Sequence, residues 1–232
     1  MWQEVREELH PKGLEIVTVA LEVRGMTKAE RWIEAAHPQH PSLVDEAHAL
    51  DELFGVVNVP SGIWIDEQGM IVRPPETAYP AIPGFRKQPS ELPENLDDYL
   101  ADVLRESAKI RIQPRRYMNA LRDWVANGSA SRYALKPEEV IARSRARPPE
   151  AAEAAAQFEL GQHLHRGGHP DDAVAHFREA HQLQPENWTY KRQAWTMVHP
   201  SQGPSDVYEG DWLSDVRKIG AENYYERLDM PD

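Results

Sequence analysis

The chain has 232 residues, no cysteine, 41% hydrophobic residues and a net charge of −12. That length can bury a real core in one large or two small domains. The acidic balance argues against nucleic acid, because neutralising phosphate takes clustered Lys and Arg.

The one dense basic stretch, Arg111–Arg116, is followed by Arg143, Arg145 and Arg147. All lie beside acidic segments and read as solvated faces. No apolar run reaches the roughly 18–20 residues that span a bilayer, so no membrane contact is expected. The start, MWQEVREELH, carries Glu4, Glu7 and Glu8 and no apolar stretch. It does not read as a signal peptide, and a cytoplasmic location is expected. Without cysteine the chain forms no disulfide and does no thiol chemistry, while its redox compartment stays open.

In chain order, Trp2, Val5 and Leu9 are spaced three and four apart and predict a helix over 2–10, stopped by Pro11 and Gly13. Leu14–Leu21 (LEIVTVAL) is apolar and rich in β-branched residues, the signature of a buried strand. Thr27–Ala36 reads as a helix with Thr27 as N-cap and Glu30 as its capping-box partner. After the loop His37–Pro41 come a short strand at Ser42–Val44 and a helix at Ala47–Phe54 that closes near Gly55. Two strands follow, Gly62–Ile65 and Met70–Arg73, joined by Asp66-Glu67-Gln68-Gly69, where the glycine permits a tight hairpin. The order is α-β-α-β-α-β-β.

Pro74–Pro93 is proline-dense and reads as a linker or a surface-wrapping segment. Beyond it the pattern is helical: Leu96–Ile110, Tyr117–Ala126, Pro137–Arg145, Ala151–Arg166, Asp171–Gln184, Asn187–His199 and Asp211–Tyr225. Successive helices with short connections point to a bundle or a solenoid segment.

Phe54–Arg73 (FGVVNVPSGIWIDEQGMIVR) resembles the second half of thioredoxin-like redoxins, including thiol–disulfide oxidoreductases and the peroxiredoxin-related group. These share a helix ending in Phe-Gly-Val, a loop reaching Val-Pro, an apolar strand, then Ile-Asp-x-x-Gly and an antiparallel strand. GLEIVTVALE and SLVDEAHALDELFG fit the preceding strand and the strand–helix unit. The resemblance implies an α/β thioredoxin-like domain over 1–73 in which Pro60 is cis and Val59 and Pro60 line the substrate side. It also implies a strand ahead of the first helix and a Cys-x-x-Cys at that helix's N-terminus, where the dipole would stabilise a thiolate. Neither feature is in this sequence, and neither Met1 nor Trp2 supplies a substitute nucleophile.

Met1 is similar to the Met that often follows that motif, which would put the motif immediately upstream. The whole chain also resembles a bacterial redoxin group with Trp-Ala-x-x-Sec-Gly-x-x-Cys as its active-site motif and helical repeats behind it. That resemblance implies an in-frame UGA read as a stop.

A second resemblance, over 154–187, is to a tetratricopeptide repeat. Leu160, Gly161, Ala173, Phe177, Ala180 and Pro185 sit at its offsets, although Gln157 stands where the first aromatic belongs. Gly161 and Ala173 are small where two helices would cross, and Phe177 would fill the groove between them.

His163, His165 and His169 invite a metal reading, but Gly167, Gly168 and Pro170 put the last in a turn and no carboxylate at useful spacing completes a set. His37 and His40 are loop residues, and Asp66 fits a hairpin turn better than a catalytic carboxylate. Trp188, Tyr190, Trp195, Tyr208, Trp212, Tyr224 and Tyr225 fit either helix packing or a partner surface. No phosphate loop, nucleophile elbow or zincin helix occurs, so no cofactor, no metal and no catalytic residue is assigned.

The expected architecture is therefore an incomplete thioredoxin-like α/β domain over 1–73, a proline-rich segment over 74–93, and an all-α region over 94–232 with a tetratricopeptide-like hairpin. The expected function is that of a redoxin-family thiol or selenol oxidoreductase truncated just after its active-site motif, inactive in thiol exchange as it stands. The alternative is a non-catalytic interaction scaffold that takes a protein partner through the helices. A bared sheet edge would also offer a route to self-association.

Overall fold

The structure is a computed structural model that describes residues 1–84, 96–144 and 146–231. It is a mixed α/β chain whose described residues gather into two compact units. One comprises Met1–Ala81, Gln113–Pro148 and Leu228–Asp232; the other comprises Ile82–Ile112 and Pro149–Arg227. Among the described residues no helix is long and apolar enough to cross a membrane.

The first unit begins with α1 (Trp2–Leu9), which buries Val5 and Leu9 and ends in a short 3-10 turn at His10–Lys12. The strand β1 (Thr18–Leu21) pairs in parallel with β2 (Ser42–Asp45), Thr18 opposite Ser42 and Leu21 opposite Asp45, with α2 (Met26–Ala36) as the crossover. A parallel neighbour cannot be reached by a tight turn, and eleven helical residues supply the return path. This helix starts one residue earlier than its pattern predicts. Gly25 takes the N-cap position, while the Thr27 hydroxyl donates back to the Arg24 carbonyl at 3.0 Å.

The apolar run Leu14–Leu21 departs from its pattern more sharply. Only Thr18–Leu21 is strand, all four of its residues are half-buried, and Val17 is 54% exposed. The run is apolar enough for the centre of a sheet, yet among the described residues its one strand neighbour is β2.

After α3 (Ala49–Phe54), the antiparallel pair β3 (Ser61–Ile65) and β4 (Ile71–Thr77) forms a separate two-stranded sheet. Asp66 organises the hairpin: its Oδ1 accepts from the amides of Gln68 and Met70 at 3.0 and 2.9 Å, and Gly69 takes φ +78°. The strand β4 runs on through Pro74 and Pro75 into the proline-dense stretch. The register slips between Trp64↔Arg73 and Gly62↔Glu76, and this irregularity absorbs two residues that cannot donate to a ladder. Residues 85–93 of that stretch lie outside the described residues.

The helix α5 (Pro114–Asn127) joins this first unit because its buried face, Tyr117, Met118, Ala120 and Leu121, shares one apolar cluster with Val5, Leu9, Ile16, Trp64 and Val72. The Leu135 amide, ahead of α6 (Pro137–Arg143), donates to the Val72 carbonyl at 3.0 Å.

The second unit is helical: α4 (Asp98–Lys109), α7 (Pro149–Arg166), α8 (Pro170–Leu183), α9 (Trp188–Val198) and α10 (Trp212–Ile219). The turn Gly167–His169 makes α7 and α8 a hairpin. A Cβ built on Gly161 would lie 2.8 Å from the Phe177 ring, so the two helices meet as closely as the sequence pattern requires. The segment Asp211–Tyr225, expected as one helix, is instead α10 followed by a 3-10 turn at Ala221–Asn223. Asp211 caps α10 by accepting from the Leu213 and Ser214 amides, and Gly220 at φ +81° breaks it. All seven C-terminal aromatics are buried, Trp195 and Tyr190 at 2% and 3% exposure, so they form interior packing rather than a partner surface.

Candidate functional site

The turn Val59–Pro60 is held from both sides by local chemistry. On the upstream side Asp45, at the end of β2, caps the approach to α3. Its Oδ1 accepts from the Ala47 and Ala49 amides at 3.2 and 3.1 Å, and its Oδ2 from Leu50 at 2.7 Å. The imidazole Nδ1 of His48 and Oδ2 of Asp51 form a buried pair at 2.8 Å that locks the first turn of the helix. The helix closes with the Val56 amide donating to the Asp51 carbonyl at 2.7 Å.

The chain then turns. The Val59 amide donates to Asn58 Oδ1 at 2.9 Å, the Val59–Pro60 peptide bond is cis, and the Pro60 carbonyl accepts from the Ala78 amide at 3.1 Å. Val59 and Pro60 are both half-buried, so the turn presents an apolar face.

Tyr117 links β3, the strand after this turn, to α1. A Cβ on Gly62 would lie 2.6 Å from the Tyr117 hydroxyl, so β3 passes directly over the ring just after the proline. The same ring meets Trp2, in the first turn of α1, edge-on at 6.2 Å between centroids, and Trp64 at 6.0 Å. Trp64 Nε1 donates to the Tyr117 hydroxyl at 3.1 Å and stacks on Trp124 at 5.0 Å. Burial raises the Tyr117 hydroxyl above its usual range, against the opposing hydrogen bond from Trp64, and holds it neutral. Tyr117 therefore belongs to the apolar core beneath β3, while Val59 and Pro60 are the half-buried apolar residues of the turn itself. The chain has no thiol to react there.

The other residues singled out from the sequence have these surroundings. His163 and His169 are exposed, His165 is half-buried, and His169 faces Asp172 at 3.8 Å. Among the described residues no group of three acidic or histidine side chains is arranged to hold a metal ion. His37 is exposed at the end of α2. His40 is buried, and that burial, reinforced by Arg6 and opposed by Glu15, lowers its pKa. Its loop is tied to α1 by the Gln39 amide, which donates to Gln3 Oε1 at 2.8 Å.

Sequence reasoning missed Arg73, which is 1% exposed and forms a bidentate pair with Glu76 at 2.5 and 3.0 Å. A charge inside the apolar β4 pattern with an acid three residues on was the available signal. Comparison with protein-family models, with curated proteins and with solved structures finds no match to this chain.

Proposed function

We propose that this chain is the larger part of a thioredoxin-like redoxin whose central strand and redox-active residues are carried by a segment outside these 232 residues. The observation that carries the reading is the split sheet. Among the described residues β1 pairs with β2 alone and β3 with β4 alone, both pairs belonging to one unit. Parallel sheets are normally covered on both faces and built of more than two strands, and an isolated two-stranded sheet is marginal in water. An apolar β1 left half-buried is what a sheet lacking its next strand would look like. A strand running between β1 and β3 would join the pairs into one sheet. The element order agrees with the same reading.

On this proposal the first turn of α1 follows the redox motif, Val59 and Pro60 line the substrate side, and the substrate is a thiol, disulfide or peroxide. The test is in-frame translation of the genomic DNA upstream of the Met1 codon. An apolar strand-forming segment ending in Cys-x-x-Cys or UGA-x-x-Cys supports the redoxin reading. A segment with neither favours the alternative, a non-catalytic scaffold that binds a protein partner through this fold and the tetratricopeptide-like helices.

A further inference from the structure

The first unit closes on an extended segment, Leu228–Pro231, whose side chains alternate. Leu228 and Met230 are buried in the apolar cluster, and Asp229 and Pro231 are exposed. Side chains of the unit, not a neighbouring strand, hold its backbone. The Leu228 amide donates to Gln113 Oε1 at 3.3 Å. Arg73 Nη2 and Arg143 Nη1 donate to the Asp229 carbonyl at 2.8 and 2.9 Å, and Arg116 donates to the Met230 carbonyl. Arg143 also pairs with the Asp229 carboxylate at 3.2 Å.

One of the receiving groups, Arg73, is held independently of the segment. Arg73 is fixed by its bidentate pair with Glu76 and by donation from Nη1 to the Tyr133 carbonyl at 2.9 Å. Main-chain groups met by fixed donors, with alternate side chains dropping into apolar pockets, is how proteins read short extended peptides. Here the pattern read is apolar–acidic–apolar, with the cation of Arg143 selecting the middle position.

We propose that Gln113, Arg73, Arg116 and Arg143 form a peptide-binding site for an extended apolar–acidic–apolar segment, of which Leu228–Met230 is the resident occupant. A separate peptide of that pattern exchanges with it.

The test uses the full chain with a specific protease site placed between Glu226 and Leu228, cut after folding. The probe is the fluorescein-labelled hexapeptide Arg-Leu-Asp-Met-Pro-Asp, which matches residues 227–232. The cut chain should take up the probe saturably, unlabelled hexapeptide should displace it, and changing its first Asp to Asn should weaken binding about threefold. A hexapeptide with Leu and Met both replaced by Ser should not bind. A cut chain that keeps its circular dichroism but takes up no probe overturns the proposal, because the segment is then fixed packing. If cutting unfolds the chain, recovery of structure on adding excess hexapeptide supports the site, and failure to recover overturns it.

Discussion

Trp64 Nε1 donates to the Tyr117 hydroxyl at 3.1 Å, and the same hydroxyl stands where a side chain on Gly62 would have to go, 2.6 Å from an added Cβ. One oxygen therefore satisfies a buried indole on β3 and forbids a methyl group two residues earlier. Tyr117→Phe should cost about 1–2 kcal/mol in urea unfolding, since it leaves the indole without its acceptor. Gly62→Ala should cost about 1–3 kcal/mol from overpacking. Because both act through one atom, the two should not add: once Tyr117→Phe is in place, the Gly62→Ala cost should shrink by at least about 0.5 kcal/mol. The Ala78 Cβ, 2.8 Å from the same added methyl, keeps that relief partial.

In the helical unit the corresponding contact is Gly161 against Phe177. Alanine is intrinsically better than glycine in a helix by about 0.8–1 kcal/mol. Here the new Cβ would meet Phe177 carbons at 2.8 and 2.9 Å. Gly161→Ala should therefore destabilise, and combining it with Phe177→Leu should cost less than the sum of the two. A stabilising Gly161→Ala, measured by thermal unfolding, would mean that the helices do not meet as closely as described.

Arg73 is a buried charge in the first unit. Its guanidinium is paired with Glu76 and lies 5.5 Å from the Trp64 ring. Burial raises the Glu76 pKa, and Arg73 opposes that shift. Arg73→Met strands the carboxylate and should cost about 3–5 kcal/mol. Arg73→Met with Glu76→Leu, which removes both charges, should recover much of that loss.

His181 makes stability depend on pH. Burial, aided by Lys191 and opposed by a hydrogen bond with the Tyr190 backbone, pushes its pKa down to about 4; its Nε2 is sealed from solvent beside Trp195 and Tyr208. The folded state holds the ring neutral, while the unfolded chain protonates it below about 6.5. Between those values the unfolded state binds the extra proton, so stability falls as pH drops from about 6.5 to about 4, by about 2–3 kcal/mol. His181→Gln should remove that component. The measurement is the wild-type-minus-variant difference in urea midpoint at pH 7 and pH 4.5, which also cancels the acid-side contributions of Glu8, Glu15 and Asp102, whose pKa values arginine partners lower.

Much of this was legible in the sequence because it is local. The α-β-α-β-α-β-β order, the Asp66–Gly69 hairpin and the Gly161–Phe177 crossing each follow from residues close in the chain or at a fixed helical offset. What escaped depends on pairing at a distance. Leu14–Leu21 carries the composition of a central strand, but burial depends on neighbours that no local pattern reports. Pro74 and Pro75 read as the start of a linker because a bulge opposite Ile63 is invisible in one strand alone. The Val59–Pro60 turn was visible as a local motif, whereas Tyr117 and Trp2 meet beside β3 from separate helices. Arg73 and the segment Leu228–Met230 meet across 156 residues.

The proposed strand between β1 and β3 is tested most directly by amide hydrogen exchange on two chains. One is the 232-residue chain; the other is extended in frame at its N-terminus through the upstream segment. The account predicts that Thr18–Leu21 and Ser61–Ile65 gain at least about tenfold protection in the extended chain, together with turnover of insulin disulfides or peroxide. Unchanged exchange in both strands of a folded extended chain would contradict it.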